Sequence, residues 1–232
     1  MRCEKLIFFL ILFLYAFDLR SIESQYTEIW LHKSQKNASD IKEIIHKLNI
    51  SKVKGAEFDV YYSIVDNKYY LTHDQPNKKD KRYLLLEDLN KINKKNIWLD
   101  FKNLKDIDFN KIDLLKAILE KVSKNNSLFI ESQNIIKLKL LSSREINIIY
   151  NLPIFYNNRY LISCLRYVTN LLGFNYYSLS LDNYNMIKSF FPLNNTFIYT
   201  VNNKKKICEM LKENKIKVIL SDIYFNNTKC NL

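Results

Sequence analysis

A chain of 232 residues is long enough for one large domain with a full core, and two glycines and three prolines supply no flexible linker, so a single folded domain is expected. The formal net charge of +12 suits nucleic acid, anionic lipid headgroups or phosphate-bearing substrates. The basic residues are dispersed, however, with only short clusters at Lys78-Lys79, Lys81-Arg82 and Lys204-Lys205-Lys206. No finger spacing, basic zipper or RNA-binding aromatic signature accompanies them, so nucleic acid is not an expected partner.

At the N-terminus, Arg2 and Lys5 precede an apolar run from Leu6 to Phe17, followed by Asp18 and Arg20. The run is short for a membrane span and suits a signal-peptide core. Residues 1–24 are therefore read as a signal peptide or short membrane anchor, and residues 25–232 as the folded domain. The expected location is secreted, periplasmic or membrane-anchored outside the cytoplasm. Arg2, Lys5 and Arg20 balance Glu4, Asp18 and Glu23, so the whole positive excess belongs to the folded domain. Beyond Cys3, the cysteines Cys164, Cys208 and Cys230 show no pairing pattern and no metal-ligand spacing, which makes buried free thiols the expectation and one bridge the maximum.

After residue 25, short apolar runs alternate with helical patterns. Strands are predicted at 27–32, 56–62, 97–101, 128–131, 146–150, 177–181, 196–201 and 217–221. Most are continuous and apolar, as strands covered on both faces should be. A helix is predicted over 39–48, capped by Ser39, with Ile41, Ile44, Ile45 and Leu48 on one face and His46 on the flank or outer face. A short strand over 69–71 should pair with 61–65 across a turn at Asp66-Asn67, before a short helix at 86–92. Further helices are predicted at 108–122, 134–141, 159–172, 183–190 and 203–212.

Eight strands alternating with helices fit a single (β/α)8 TIM-type barrel, although a doubly wound open sheet would alternate in the same way. The polar residues separate the two. His32, Glu57, Asp59, Asp100, Glu131, Asn202 and Asp222 fall at the C-terminal ends of several different strands. A barrel gathers those ends into one ring, whereas an open sheet spreads them along a crevice, and no glycine-rich phosphate loop supports the nucleotide-binding version of an open sheet.

Within Glu57-Phe58-Asp59 the carboxylates are two residues apart, so on a strand both point inward while Phe58 points to the helix layer. Two inward carboxylates repel unless a cation or basic group lies between them. Asp100, ending the next long strand, offers a third oxygen. Lys102 projects the same way and can meet a phosphoryl oxygen. The oxygen-rich set favours a hard divalent cation such as Mg²⁺ or Ca²⁺ over zinc. His32 and His73 can exchange protons near neutral pH. Adjacent side chains rarely face each other, so Asp74 is not expected to hold the His73 ring.

These segments resemble the glycerophosphodiester phosphodiesterase family, of the PLC-like phosphodiesterase superfamily, over most of residues 27–223. His32 matches the catalytic histidine that ends the family's first strand, and Gly55-Ala56-Glu57-Phe58-Asp59-Val60 is similar to its metal-binding strand. Tyr70-Leu71-Thr72-His73-Asp74 resembles the segment bearing its second catalytic histidine, and Leu99-Asp100-Phe101-Lys102 its third-ligand strand. Tyr199-Thr200-Val201-Asn202 and Ile219-Leu220-Ser221-Asp222 resemble its last two strands. The chain departs from the pattern at Lys33-Ser34, where the family has Arg-Gly. It also departs at Asp100, where glutamate is common and aspartate is similar to the sphingomyelinase D branch, and at Tyr199, where tryptophan is usual.

The resemblance implies a metal-dependent phosphodiester hydrolase, with the ion on Glu57, Asp59 and Asp100, and with His32, His73 and Lys102 as the catalytic set. The expected substrate is a glycerophosphodiester or related diester. A lysolipid or sphingolipid substrate, met at an anionic membrane surface, is the second reading. A non-catalytic barrel that holds a phosphorylated ligand is the third.

Overall fold

A computed structural model describes residues 27–34, 40–77, 83–153, 159–189, 195–223 and 230. The expected N-terminal targeting segment, the Ser39 cap and the Lys78-Lys79 and Lys81-Arg82 clusters lie outside the described residues. Among the described residues nine strands form: β1 (Glu28–Leu31), β2 (Gly55–Ser63), β3 (Lys68–Tyr70), β4 (Asn96–Phe101), β5 (Ser127–Ser132), β6 (Ile146–Asn151), β7 (Tyr176–Ser180), β8 (Thr196–Tyr199) and β9 (Ile216–Ser221). Eight of them pair in parallel in the order β1-β9-β8-β7-β6-β5-β4-β2, and a Leu31–Ala56 pairing of β1 with β2 closes the ring. β3 folds back antiparallel on β2 as the expected hairpin, with Tyr61 opposite Tyr70. Asn67 takes the left-handed conformation in its turn (φ 53°) and accepts a hydrogen bond from the Tyr62 hydroxyl.

Strand alternation sorts the apolar residues into two cores. Inside the barrel, Trp30, Trp98, Phe129 and Phe197 meet edge-on or tilted, with Trp98 and Phe197 centroids 5.0 Å apart, and Ile149, Val218 and Leu220 fill the rest. Between barrel and helices, Phe58, Leu99, Ile130, Leu179 and Ile198 meet the apolar faces of the helices. Each such fully buried side chain stabilises the fold by roughly 1.5–3 kcal/mol. Gly55 is required by close approach: a Cβ there would sit 2.4 Å from the Trp30 ring and 2.9 Å from the Asn96 carbonyl oxygen.

The helices follow the expected pattern with local differences. Helix Ile41–Ser51 buries Ile41, Ile44 and Leu48 and leaves His46 exposed; its cap is Asp40, whose carboxylate accepts from the Lys42 N–H at 3.0 Å. Leu181 begins helix Leu181–Ile187 instead of ending β7, because the Ser180 hydroxyl accepts from the Asn183 N–H and caps the helix there. The segments 86–91 and 109–111 are 3-10 turns, the second running into helix Ile112–Ser123.

The free-thiol expectation is corrected. Cys208, on helix Lys204–Met210, is disulfide-bonded to Cys230, and Cys164 is free but exposed. The barrel topology brings that helix against the chain beyond β9, a proximity that sequence spacing does not display. Among the described residues, no helix is long and apolar enough to cross a membrane.

Candidate active site

The register of β2 and β4 sets the acidic centre. Asp59 lies directly opposite Asp100, and Glu57 opposite Trp98, one pleat deeper. Glu57, Asp59 and Asp100 each offer an oxygen within 4.8 Å of the others. Glu57 and Asp59 are almost fully buried, whereas Asp100 retains partial exposure at the mouth. Three carboxylates this close repel, and burial adds to the cost. Desolvation first, then Asp59 and Asp100, pushes the Glu57 carboxyl well above its ordinary range; desolvation likewise raises Asp100, with Asp59 adding and Lys102 and His73 opposing.

Lys102 supplies the local positive charge. Its ammonium lies 2.6 Å from Asp59 Oδ1 and also donates to Asp100 Oδ2, and these two carboxylates raise its pKa despite burial. Glu57 is held from the other side. The Lys33 N–H donates to its Oε2 at 2.6 Å, and the Ser34 N–H donates to its carbonyl oxygen at 3.0 Å. The pair that replaces Arg-Gly in the family pattern thus acts here through its backbone.

His32 leaves β1 at the rim with both ring nitrogens engaged. Nδ1 lies 2.8 Å from Asp222 Oδ1, and Nε2 lies 3.3 Å from the Thr200 hydroxyl. A carboxylate only accepts, so Nδ1 carries the proton and Nε2 of the neutral ring presents its lone pair. Asn202 steadies the carboxylate: its amide donates to Asp222 Oδ2 at 2.6 Å, and its Oδ1 accepts from the Asp222 N–H at 2.9 Å. His73 follows the hairpin, is half exposed, and lies close enough to Asp100 to lower that carboxyl's pKa. Asp74 does hold the His73 ring, at 2.8 Å to Nδ1, correcting the expectation from adjacency; the tight bend after β3 turns the two side chains together.

Glu131 forms the floor. Trp98 Nε1, Ser178 Oγ and Asn151 Nδ2 all donate to its carboxylate, the Ser178 contact measuring 2.7 Å. Those donors pull its pKa down, but burial, aided by Asp100, wins and pushes it up to about 8. Tyr199 forms part of the wall, its phenol raised by burial, Glu131 and Asp100. All six candidate site residues therefore share one end of the barrel, the end where barrel active sites form. Thr200, Asn151 and Ser178 were not singled out in the sequence. Thr200 had the one available signal, its place in the Tyr199–Asn202 run.

No protein-family model matches the chain, and no curated protein sequence matches it. Solved structures do. A glycerophosphodiester phosphodiesterase from Parabacteroides distasonis superposes with a TM-score of 0.64 at 14% identity, covering 89% of this chain and 97% of that one. One from Thermotoga maritima gives 0.63 at 16% identity over 85% and 95%, and one from Agrobacterium tumefaciens 0.56 at 10% over 84% and 96%. At such identities the likeness is one of fold: this chain carries the (β/α)8 barrel of the glycerophosphodiester phosphodiesterases.

Proposed function

We propose that this chain is a metal-dependent phosphodiester hydrolase acting on glycerophosphodiesters or a related diester. The observation that carries the reading is the convergence of Glu57, Asp59 and Asp100 within 4.8 Å, with Lys102 among them, at the rim that also bears His32 and His73. Three hard oxygen donors of net negative charge fit Mg²⁺ or Ca²⁺, which when bound supplies positive charge to the phosphoryl oxygens.

The chain's own residues supply the rest. Lys102, held beside Asp59 and Asp100, offers a point charge to a phosphoryl oxygen. One imidazole takes the proton of the attacking water or substrate hydroxyl, and the other gives a proton to the departing alkoxide, an exchange that contributes ~10²–10⁴-fold in rate. Asp222 and Asp74 hold Nδ1 of His32 and His73 respectively, which leaves Nε2 of each ring as the nitrogen for the proton transfer.

A lipid diester such as a lysophospholipid is the second reading. An apolar cleft lined by Leu152, Ile162, Leu165, Leu179 and Met186 opens beside the ends of β6 and β7, and Tyr167, Val168 and Leu171 are exposed on the neighbouring helix. The Cys208–Cys230 disulfide and the apolar N-terminal run support a location outside the reducing cytoplasm, secreted, periplasmic or membrane-anchored.

Hydrolysis of bis(p-nitrophenyl) phosphate and of glycerophosphodiesters, with and without Mg²⁺ or Ca²⁺, tests the reading. Metal-dependent turnover abolished in His32→Ala and Glu57→Gln is expected. Metal binding without turnover of any diester or lysolipid would instead leave a phospho-ligand-binding barrel.

A further inference from the structure

At the opposite end of the barrel, the N-terminal ends of β2, β4 and β5 stand side by side, with Gly55 paired to Asn96 and Asn96 to Ser127. The turns that enter these strands enclose an open cleft of about 640 Å³ lined by Lys52, Lys54, Lys94, Lys95 and Lys124. Asparagine and serine side chains complete the lining, which includes no acidic residue; the Glu28 carboxylate sits at its edge, accepting from Asn96 Nδ2 at 3.3 Å. Lys54 is held by Glu28 at 2.9 Å, and the Lys95 ammonium donates to the Val53 carbonyl at 2.8 Å. Lys52, Lys94 and Lys124 are exposed and make no ion pair among the described residues.

The lysines sit on a braced frame. Buried Asn126 donates through Nδ2 to the Ile92 and Val122 carbonyls, at 2.8 and 3.1 Å, and accepts from the Lys95 N–H at 3.1 Å. The Lys94 N–H donates to the Asn125 carbonyl at 2.8 Å, joining two of the turns directly. Lys52 and Lys94 both hold left-handed backbone, φ 54° and 56°, where asparagine or glycine costs less. Neighbouring strands lie ~4.8 Å apart, so the three turns spread their ammonium groups over roughly 10 Å. Like charges gathered there repel, and an anion spanning them removes the repulsion.

We propose that this cleft binds a compact polyanion carrying several phosphate or sulfate groups, at a site separate from the catalytic mouth. The lining defines the class. Ammonium groups meet phosphate or sulfate as point charges, and the amides and hydroxyls add neutral donors. No aromatic ring lines the cleft to stack a base, and its one apolar residue, Val53, is buried, so neither a single-stranded nucleic acid nor an inserted membrane surface matches it. The span exceeds one phosphate group.

Calorimetric titration of the metal-free full chain with tripolyphosphate at low salt tests the site. One saturable site is expected, weakened by added salt. The combined substitution Lys52→Asn, Lys94→Asn and Lys124→Ser should weaken it at least about tenfold, since each exposed ion pair is worth up to roughly fivefold. Lys124→Glu alone, at an ordinary backbone position, should weaken it about fivefold or more and guards against misfolding of the triple variant. Lys102→Met should leave the affinity unchanged. The wild-type thermal midpoint should rise by about 5–10 °C at ligand a hundredfold above its Kd. Unchanged affinity in the triple variant and in Lys124→Glu would overturn the proposal. So would loss of binding in Lys102→Met, which would place the anion at the catalytic mouth, or an equal rise with orthophosphate at matched ionic strength, which would reduce the effect to screening.

Discussion

Replacement of Asp222 by asparagine tests the tautomer of His32 while leaving Glu57, Asp59, Asp100 and Lys102 in place. Asn202 cannot turn to suit the new amide, because its Oδ1 accepts from the 222 N–H at 2.9 Å and from the Ser221 hydroxyl at 3.3 Å. Its NH₂ therefore always faces residue 222, and the amide carbonyl of an Asp222→Asn variant must turn toward it. The variant's NH₂ then faces His32, where Asp222 Oδ1 now lies 2.8 Å from Nδ1. Two donors cannot share that contact, so the imidazole shifts its proton to Nε2 and loses the lone pair that a general base needs. Since acid–base catalysis contributes ~10²–10⁴-fold, kcat should fall by about 10²–10³-fold with little change in KM. Stability should change by less than ~1 kcal/mol, because Asp222 is half exposed. Diester hydrolysis over pH 5–9 measures the first quantity, and nitrogen NMR of the His32 ring reads the tautomer directly. A variant within threefold of wild type, with Nδ1 still protonated, would refute the argument.

Glu131 makes stability depend on pH. Its folded-state pKa, about 8, stands above the ordinary 4.5, so the folded protein holds a proton that the unfolded chain has lost between those values. Stability should be greatest below about pH 4.5 as far as this group decides it, and should fall by a few kcal/mol as pH rises through about 8. Urea unfolding of metal-free protein should show that decline, and Glu131→Gln should flatten it; parallel profiles would refute the assignment. Gly55→Ala should cost about 1–3 kcal/mol or more, read from the same curves, because the new methyl meets the Trp30 ring at 2.4 Å and a backbone oxygen at 2.9 Å. Cys208→Ser with Cys230→Ser should lose about 3 kcal/mol, from a bridge spanning 22 residues, and should make the thermal midpoint insensitive to reductant.

The barrel and its acidic end were legible because each rests on a local period. Continuous apolar runs mark strands covered on both faces, and the two-residue spacing of Glu57 and Asp59 fixes their common inward direction whatever the tertiary context. Contacts that depend on register or on loop path were not legible. Glu131 could be placed at a strand end, but its donors come from β4, β6 and β7, and only the paired registers bring Trp98, Asn151 and Ser178 to it. Ser39-Asp40 offers two capping residues in succession, and it is the Asp40 carboxylate that accepts from the Lys42 N–H. Asp74 turns to His73 because of a backbone bend that residue type alone does not encode.

The strain around His32 ties the departures from the family pattern to the site. Lys33 and Thr200 are both in the left-handed region, φ 47° and 54°, and they flank the His32 ring, Lys33 in the chain and Thr200 at 3.3 Å from Nε2. A residue without glycine's freedom pays roughly 1–2 kcal/mol there, and a β-branched threonine is an outlier. Each is held by a bond that relaxation would break or displace. The Lys33 N–H meets Glu57 at 2.6 Å, and the Val201 N–H meets the Leu220 carbonyl at 2.9 Å. The left-handed turn at Lys33 aims a backbone N–H at the buried Glu57 carboxylate while His32 stays at the rim. The turn at Thr200 aims a hydroxyl at the imidazole while Asn202, two residues on, reaches Asp222. With a conventional backbone at Thr200 the ring would lose its hydroxyl anchor, and at Lys33 the Glu57 carboxylate would lose its N–H donor. Strain at these two turns thus accompanies the placement of His32 and Glu57, and the lysine that stands in place of the family's arginine contributes its main chain to the hold on Glu57.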